Sequence, residues 1–197
     1  SLLALSLPLL TIAAALWSKG SRPFFAQWRI GQDGKRFRCY KFQTMVPNAG
    51  QVLEDLLARD PQARAEWETN FKLRNDPRVT PLGAFLRRTS LDELPQLLNV
   101  ITGEMSLVGP RPHALQAKAG DQLYQDVMLH YAARHRVKPG MTGWAQVNGW
   151  RGETDTCEKL TRRVEHDLYY IDNWSLWLDF RILLRTARVL VGDKEAV

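Results

Sequence analysis

The opening of the chain constrains it more than any other stretch. Residues 1–17, Ser-Leu-Leu-Ala-Leu-Ser-Leu-Pro-Leu-Leu-Thr-Ile-Ala-Ala-Ala-Leu-Trp, carry no charge. As a helix rising about 1.5 Å per residue, such a run sits at the bottom of the range that can span a hydrocarbon core of about 30 Å. Pro8 interrupts it, removing a backbone donor and kinking the helix. A spanning helix, a re-entrant or interfacial helix and the buried helix of a soluble core all remain open. A signal peptide does not, because neither a positive leading region nor a small-residue cleavage site is present. Trp17, Lys19 and Arg22 then follow, the aromatic-then-basic order of a helix leaving a headgroup layer.

The other end has a related character. From Asn173 to Val191 the sequence reads as an amphipathic helix, with Arg181, Arg185 and Arg188 spaced to share one face. Trp174, Trp177, Phe180, Leu184 and Val191 add large apolar surface elsewhere on it. A basic helix bearing Trp suits an anionic bilayer surface, and an ordinary surface helix packed on a core fits the same pattern. Composition narrows the rest. Apolar residues at 45% and charged residues at 24% are globular values and exclude a disordered, collagen-like or coiled-coil chain. The 27 Lys and Arg against 21 Asp and Glu leave a net charge of +6, which favours nucleic acid, anionic lipid or phosphorylated substrates as partners. Cys39 and Cys157 are too few for a disulfide scaffold and point to a reducing compartment.

Between the ends no repeat or low-complexity tract appears, and the chain is expected to form one compact unit. Phe37–Phe42 follows the turn-forming Gly31-Gln-Asp-Gly34 and reads as a short strand. Helices are expected over 49–59 and 62–73, parted at Asp60-Pro61, and over Leu82–Arg88 after a Thr80-Pro81 start. Two more are expected at about 121–136 and 156–171, the second with a Leu160, Val164, Leu168, Ile171 stripe. The predicted class is therefore mainly α with a small β element, α+β.

Three segments carry candidate chemistry. In Arg87-Arg-Thr-Ser-Leu-Asp92-Glu93-Leu-Pro95, Ser90 and Glu93 have the spacing of a helix capping box. Pro95 opposes that reading, because its missing N–H would have to bond back to Leu91, so a helix starting at Pro95 is expected instead. Asp92 and Glu93 then lie just ahead of it, with Arg87 and Arg88 upstream, a set able to hold Mg²⁺ and a phosphate together. In Gly109-Pro-Arg111-Pro112, two prolines stiffen the backbone from which a guanidinium leaves, as a bidentate phosphate contact requires. A rigid connecting loop explains the prolines equally well. The third segment, Lys138 to Asp155, is a Gly-rich loop with aromatics, amides and an Arg, of the kind that lines ligand sites or builds plain turns. His113, His130, His135 and His166 lack metal-ligand spacing and are read as non-catalytic.

Together these segments resemble a known family. Ser90-Leu-Asp-Glu-Leu-Pro-Gln-Leu97, Met105-Ser-Leu-Val-Gly-Pro-Arg-Pro112 and Pro139-Gly-Met-Thr-Gly-Trp-Ala-Gln-Val147 are similar to the signature blocks of bacterial sugar transferases, the monotopic phosphoglycosyl transferases. Phe24–Gly31, Lys41–Met45, Val164–Tyr170 and Asn173–Asp179 match further blocks in the same order. The resemblance implies a re-entrant membrane helix over 1–18 and a catalytic domain over 19–197 that ends in an interfacial helix. It places the active site on the cytoplasmic face of the bacterial inner membrane and makes the reaction Mg²⁺-dependent. The implied reaction moves a sugar 1-phosphate from a UDP-sugar to undecaprenyl phosphate and releases UMP.

Carried onto this sequence, the resemblance makes Asp92 and Glu93 the catalytic pair. Asp92 is the nucleophile of a covalent phosphosugar intermediate and Glu93 the Mg²⁺ ligand. Arg111 becomes a phosphate contact and Asp167 a further acidic residue of the site, with Arg87, Arg88, Gln146 and Lys41 also on the substrate. Asn148–Asp155 looks most like the glucose- or galactose-1-phosphate transferases that begin exopolysaccharide or O-antigen synthesis, in which this part follows a multispanning region. A start at Ser1 rather than Met agrees with the C-terminal part of such a protein. Ser6-Leu7-Pro8 stands where the family has Ser-Pro, Gln43 where Arg is common, and Ser21-Arg22-Pro23 in place of a Gly-Pro context. The sugar, the polyprenol length and any homo-oligomer are not encoded in these motifs.

Two rivals come from other classes. Arg36, Phe37, Arg38, Tyr40, Lys41 and Phe42 interleave bases and aromatics as a single-strand nucleic-acid module does. Apolar segments at both ends oppose that, so no nucleic-acid partner is expected. A non-catalytic scaffold at the membrane surface is the other.

Overall fold

A computed structural model describes residues 2–18, 20, 22–71, 73–113, 118–119, 122–123, 131–151 and 156–192. Helices dominate, and the strands pair only two at a time, which is the mainly α, α+β class expected. The chain gathers into two compact units rather than one. The first holds the residues up to Phe25 with Phe42–Leu94, the second Ala26–Lys41 with the residues from Pro95 onward. No linker composition marks the crossings, because two of them fall inside paired strands, β1 (Phe24–Ile30) and β2 (Arg36–Phe42).

The first unit is built on α1 (Leu2–Trp17), α2 (Ala49–Arg59), α3 (Pro61–Asn70) and α4 (Pro81–Thr89). Leu9, Ile12, Ala13 and Leu16 recur at helical spacing and bring one face of α1 against Phe42, Leu82, Leu86, Leu91 and Leu94. On the remaining surface Leu7 and Leu10 are 68% and 66% exposed. The helix thus has a core face and an uncovered apolar face. Among the described residues no helix is long and apolar enough to cross a membrane.

Asp60 caps α3 by accepting from the Gln62 and Ala63 N–H groups, with Pro61 at the first position. That helix stops at Asn70, short of the 73 expected, because Phe71 turns into the left-handed region at φ 51°. The Thr80 hydroxyl caps α4 by accepting from Gly83 N at 2.9 Å. Gly83 also lets the Thr44 backbone lie directly on the helix, where the Thr80 N–H donates to the Thr44 carbonyl at 3.0 Å.

In the second unit β1 and β2 are joined through Gln32–Gly34, closed by Gly31 N donating to the Lys35 carbonyl at 2.7 Å. After Pro95 comes α5 (Gln96–Ile101), the start that Pro95 demanded. Phe37, Cys39 and Met105 form its core with Val100 and Met141. Fully buried Asn99 fastens α5 to β2: its amide donates to the Arg38 carbonyl at 2.7 Å, and its oxygen accepts from Tyr40 N at 3.1 Å.

Next come β3 (Ser106–Val108), β4 (Lys118–Ala119), β5 (Gln122–Leu123) and β6 (Gly140–Thr142). The helix expected over 121–136 is corrected at its described ends. Lys118 pairs with Leu123 and Ala119 with Gln122 in an antiparallel register, and Tyr131–Arg136 is a 3₁₀ turn. Residues 120–121 and 124–130 lie outside the described residues. β3 runs parallel to β6, with Ser106 opposite Gly140 and Val108 opposite Thr142.

The unit closes with α6 (Trp144–Val147), α7 (Cys157–Asp172) and α8 (Leu176–Gly192). The expected helix over 156–171 is α7, capped by Thr156 and buried along Leu160, Arg163, Val164, Asp167 and Tyr170.

Candidate active site

The carboxylate pair belongs to the first unit. Helix α4 ends with Arg87 and Arg88, and Ser90 reverses the chain in the left-handed region at φ 56°, its N–H bonded to the Arg87 carbonyl at 3.0 Å. A non-glycine residue held there stores strain of order 1 kcal/mol or more, a feature that concentrates at functional sites. Leu91–Glu93 then form one 3₁₀ turn, which the Ser90 hydroxyl does not cap, so the capping-box geometry is absent. Leu91 and Leu94 are packed into the core with Leu86 on either side of the acidic pair. Asp92 is consequently 8% exposed and Glu93 half-buried. Arg87 is held by its Nε donating to Thr44 Oγ1 at 2.9 Å, and exposed Arg88 lies over the Phe85 ring.

The other predicted site residues lie in the second unit. Half-buried Arg111 follows a backbone tied down at the two residues before it. Gly109 N donates to the Thr142 carbonyl and Gly140 N to the Pro110 carbonyl, both at 2.9 Å. Glycine is required for this approach, since a Cβ on Gly140 would stand 2.1 Å from Gly109 N. Asp167 is buried against Arg134, whose Nη2 and Nε donate to Oδ2 at 2.6 and 3.1 Å. Burial pushes the Asp167 carboxyl up, against the opposing pull of that guanidinium. Gln146 lies on α6, and among the described residues its buried Oε1 has no hydrogen-bond partner. Lys41 is the half-buried penultimate residue of β2.

Arg134 was missed from sequence because it fell inside the expected 121–136 helix and meets a partner far along the chain. Tyr131 was missed for the same reason; the Nδ1 of His113, a residue read from sequence as non-catalytic, lies 2.8 Å from the buried Tyr131 hydroxyl. Burial, then Arg134, hold both His113 and His135 below the usual imidazole range. Residues 152–155 of the Gly-rich loop and His130 lie outside the described residues.

Helix α8 is oriented opposite to an ordinary surface helix. Ile182 is fully buried, and Arg181 and Arg185 turn to the Trp144 ring at 6.0 and 5.2 Å, Arg185 also donating to Asn148 Oδ1 at 3.2 Å. Leu176, Trp177, Phe180, Leu183 and Leu184 face outward, Leu176 at 78% and Trp177 at 71% exposure. The hairpin that motivated a nucleic-acid reading offers less than its sequence promised. Phe37 and Phe42 are core residues, and Arg38 covers the Trp28 ring.

Residues 1–193 match the profile of the bacterial sugar transferase family. The chain belongs to that family. It is 47% identical over 192 residues to the UDP-galactose-lipid carrier transferase of Erwinia amylovora, a match covering 97% of this chain and 38% of the relative. It is 48% identical over 186 residues to the UDP-glucose:undecaprenyl-phosphate glucose-1-phosphate transferase of Escherichia coli K12, covering 94% of this chain and 36% of the relative. The exopolysaccharide production protein ExoY of Rhizobium meliloti is 43% identical over 178 residues, covering 90% of this chain and 74% of that protein. The chain spans a little over a third of the length of the first two relatives.

Proposed function

We propose that this chain carries the catalytic part of a phosphoglycosyl transferase. In this reading it moves glucose 1-phosphate or galactose 1-phosphate from the UDP-sugar to undecaprenyl phosphate, opening exopolysaccharide or O-antigen synthesis at the cytoplasmic face of the inner membrane. The observation that supports it most is the family match over residues 1–193, with relatives named for this transfer and Asp92-Glu93 on a core-anchored turn. Asp92 is the nucleophile. Its carboxylate oxygen bonds to the β-phosphorus as the bond from that phosphorus to the bridging oxygen breaks, and UMP leaves with the electron pair. An oxygen of the polyprenyl phosphate then attacks the same phosphorus, the aspartyl–phosphorus bond breaks, and the carboxylate returns.

Glu93 beside Asp92 suits Mg²⁺, which takes one or two carboxylates and completes its shell with water and substrate phosphate oxygens. Among the described residues no group of three or more His, Cys, Asp or Glu is gathered. When bound, the ion neutralises charge on the diphosphate. Arg87 and Arg88 add positive charge in the first unit. Arg111 makes a charge-assisted contact to phosphate from the second, where Gln146 Oε1 and Lys41 are further substrate contacts.

The ends of the chain supply the membrane attachment. The uncovered face of α1, with Leu7 and Leu10, enters the bilayer as a re-entrant helix, and the outward Leu176, Trp177, Phe180 and Leu184 of α8 lie in the interface. Both features favour an enzyme meeting a lipid substrate over the nucleic-acid rival. The test is Asp92→Asn in membranes supplied with UDP-sugar labelled at its β-phosphate. The variant should melt within a few degrees of wild type, carry no label on the protein and form no lipid product. A labelled, active variant sinks the proposal.

A further inference from the structure

We infer that Arg134, tied to Asp167, is a positioning residue that aims Arg111 at phosphate; this rests on the Arg111 role proposed above. Arg134 Nη2 is shared between Asp167 Oδ2 at 2.6 Å and the Arg111 carbonyl at 2.8 Å, while Nε returns to Oδ2 at 3.1 Å. The two side chains are 1% and 2% exposed. Burying such a pair adds little net stability, since well-packed apolar side chains of similar size serve as well or better. Its geometry instead has a local use. The carbonyl it holds lies between Pro110 and Pro112, which already restrict the backbone on both sides.

Gly109 and Pro110 are tied to Thr142 and Gly140 through their own backbone groups. The bond from Arg134 is the corresponding tie at Arg111 itself, and it sets the direction in which that residue's peptide plane and side chain depart. Arg111, Arg134 and His135 line one small cavity. Two guanidinium groups in one place repel, and Asp167 offsets the charge of Arg134 so that Arg111 keeps its reach for an anion. Asp167 therefore acts through Arg134 and not on the substrate. Lysine cannot replace Arg134, because one ammonium lacks the planar fork that meets a carboxylate and a carbonyl together.

The experiment measures UDP-sugar turnover by the chain in membranes, alongside melting temperature. The double variant Arg134→Met/Asp167→Leu refills the buried space without the tie. It should melt within a few degrees of wild type, lose at least tenfold in kcat with little change in KM for the UDP-sugar, and lose nothing more when Arg111→Ala is added. Arg134→Lys keeps a cation for Asp167 and should show the same kcat loss, so the inference stays testable if the double variant does not fold. Wild-type kcat in either folded variant overturns the inference, as does a further loss equal to the whole Arg111→Ala effect. If Arg111→Ala alone turns over like wild type, the phosphate role of Arg111 falls and this inference falls with it. A strong Arg111→Ala effect without any effect at Arg134 sinks only the positioning.

Discussion

Replacing Gly83 by Ala should destabilise the protein even though Gly83 lies in a helix, where the same exchange ordinarily stabilises by about 1 kcal/mol. A Cβ at this position would stand 2.0 Å from the Thr44 carbonyl oxygen and 2.7 Å from its carbon, both backbone atoms that cannot rotate away. The Thr44 segment must therefore retreat by more than 1 Å. Retreat stretches the Thr80 N–H bond to that carbonyl and the Arg87 bond to the Thr44 hydroxyl, each about 1 kcal/mol. Overpacking of a fitted contact adds roughly 1–3 kcal/mol. After the helix gain is deducted, the expected loss is about 2–4 kcal/mol, or roughly 5–15 °C in melting temperature for a chain of this size. Gly50, in α2, has no atom within 4 Å of its built Cβ, so Gly50→Ala should leave the melting point unchanged or slightly raised. Tryptophan fluorescence melts of both variants in one detergent make the comparison. A Gly83→Ala protein that melts at or above wild type refutes the claim that backbone contact dictates glycine there.

Asn99→Leu should cost about 2–4 kcal/mol despite its similar volume, because Tyr40 N and the Arg38 carbonyl lose their buried partner; denaturant midpoints unchanged from wild type would contradict this. The melting temperature should fall between about pH 7 and pH 5. Burial and neighbouring Arg134 push His135 down to about 4, whereas an unfolded imidazole protonates near 6.5. Stability from this group is therefore full above about pH 6.5 and is lost as pH drops toward 4. His135→Gln should flatten the slope; an identical slope in that variant would show that the group does not titrate as described.

Much of the local architecture was legible in the sequence. The Thr80-Pro81 and Asp60-Pro61 starts, the helix after Pro95 and the Leu160 and Val164 part of the buried face of α7 follow from capping groups, proline geometry and spacing over a few residues, whereas Arg163, Asp167 and Tyr170 on that face were not anticipated. The acidic pair and the proline-flanked Arg111 were visible for the same reason. At its described ends the 121–136 stretch departs from the expected helix, because strands as short as Gln122–Leu123 leave almost no periodicity in the sequence. Arg134 went unnoticed because nothing near it in sequence marks it as buried.

By itself the sequence determined where helices begin, which segments are too apolar for water to cover, and which residue types could handle phosphate. Only tertiary structure decided that α8 turns Trp177 and Phe180 outward while Arg181 and Arg185 face Trp144. It also decided that Asp167 meets Arg134, and that Gly109 and Gly140 touch. Caps, turns and helical faces are set by neighbours a few residues apart. Which charge meets which carboxylate depends on segments that approach only once the core has closed.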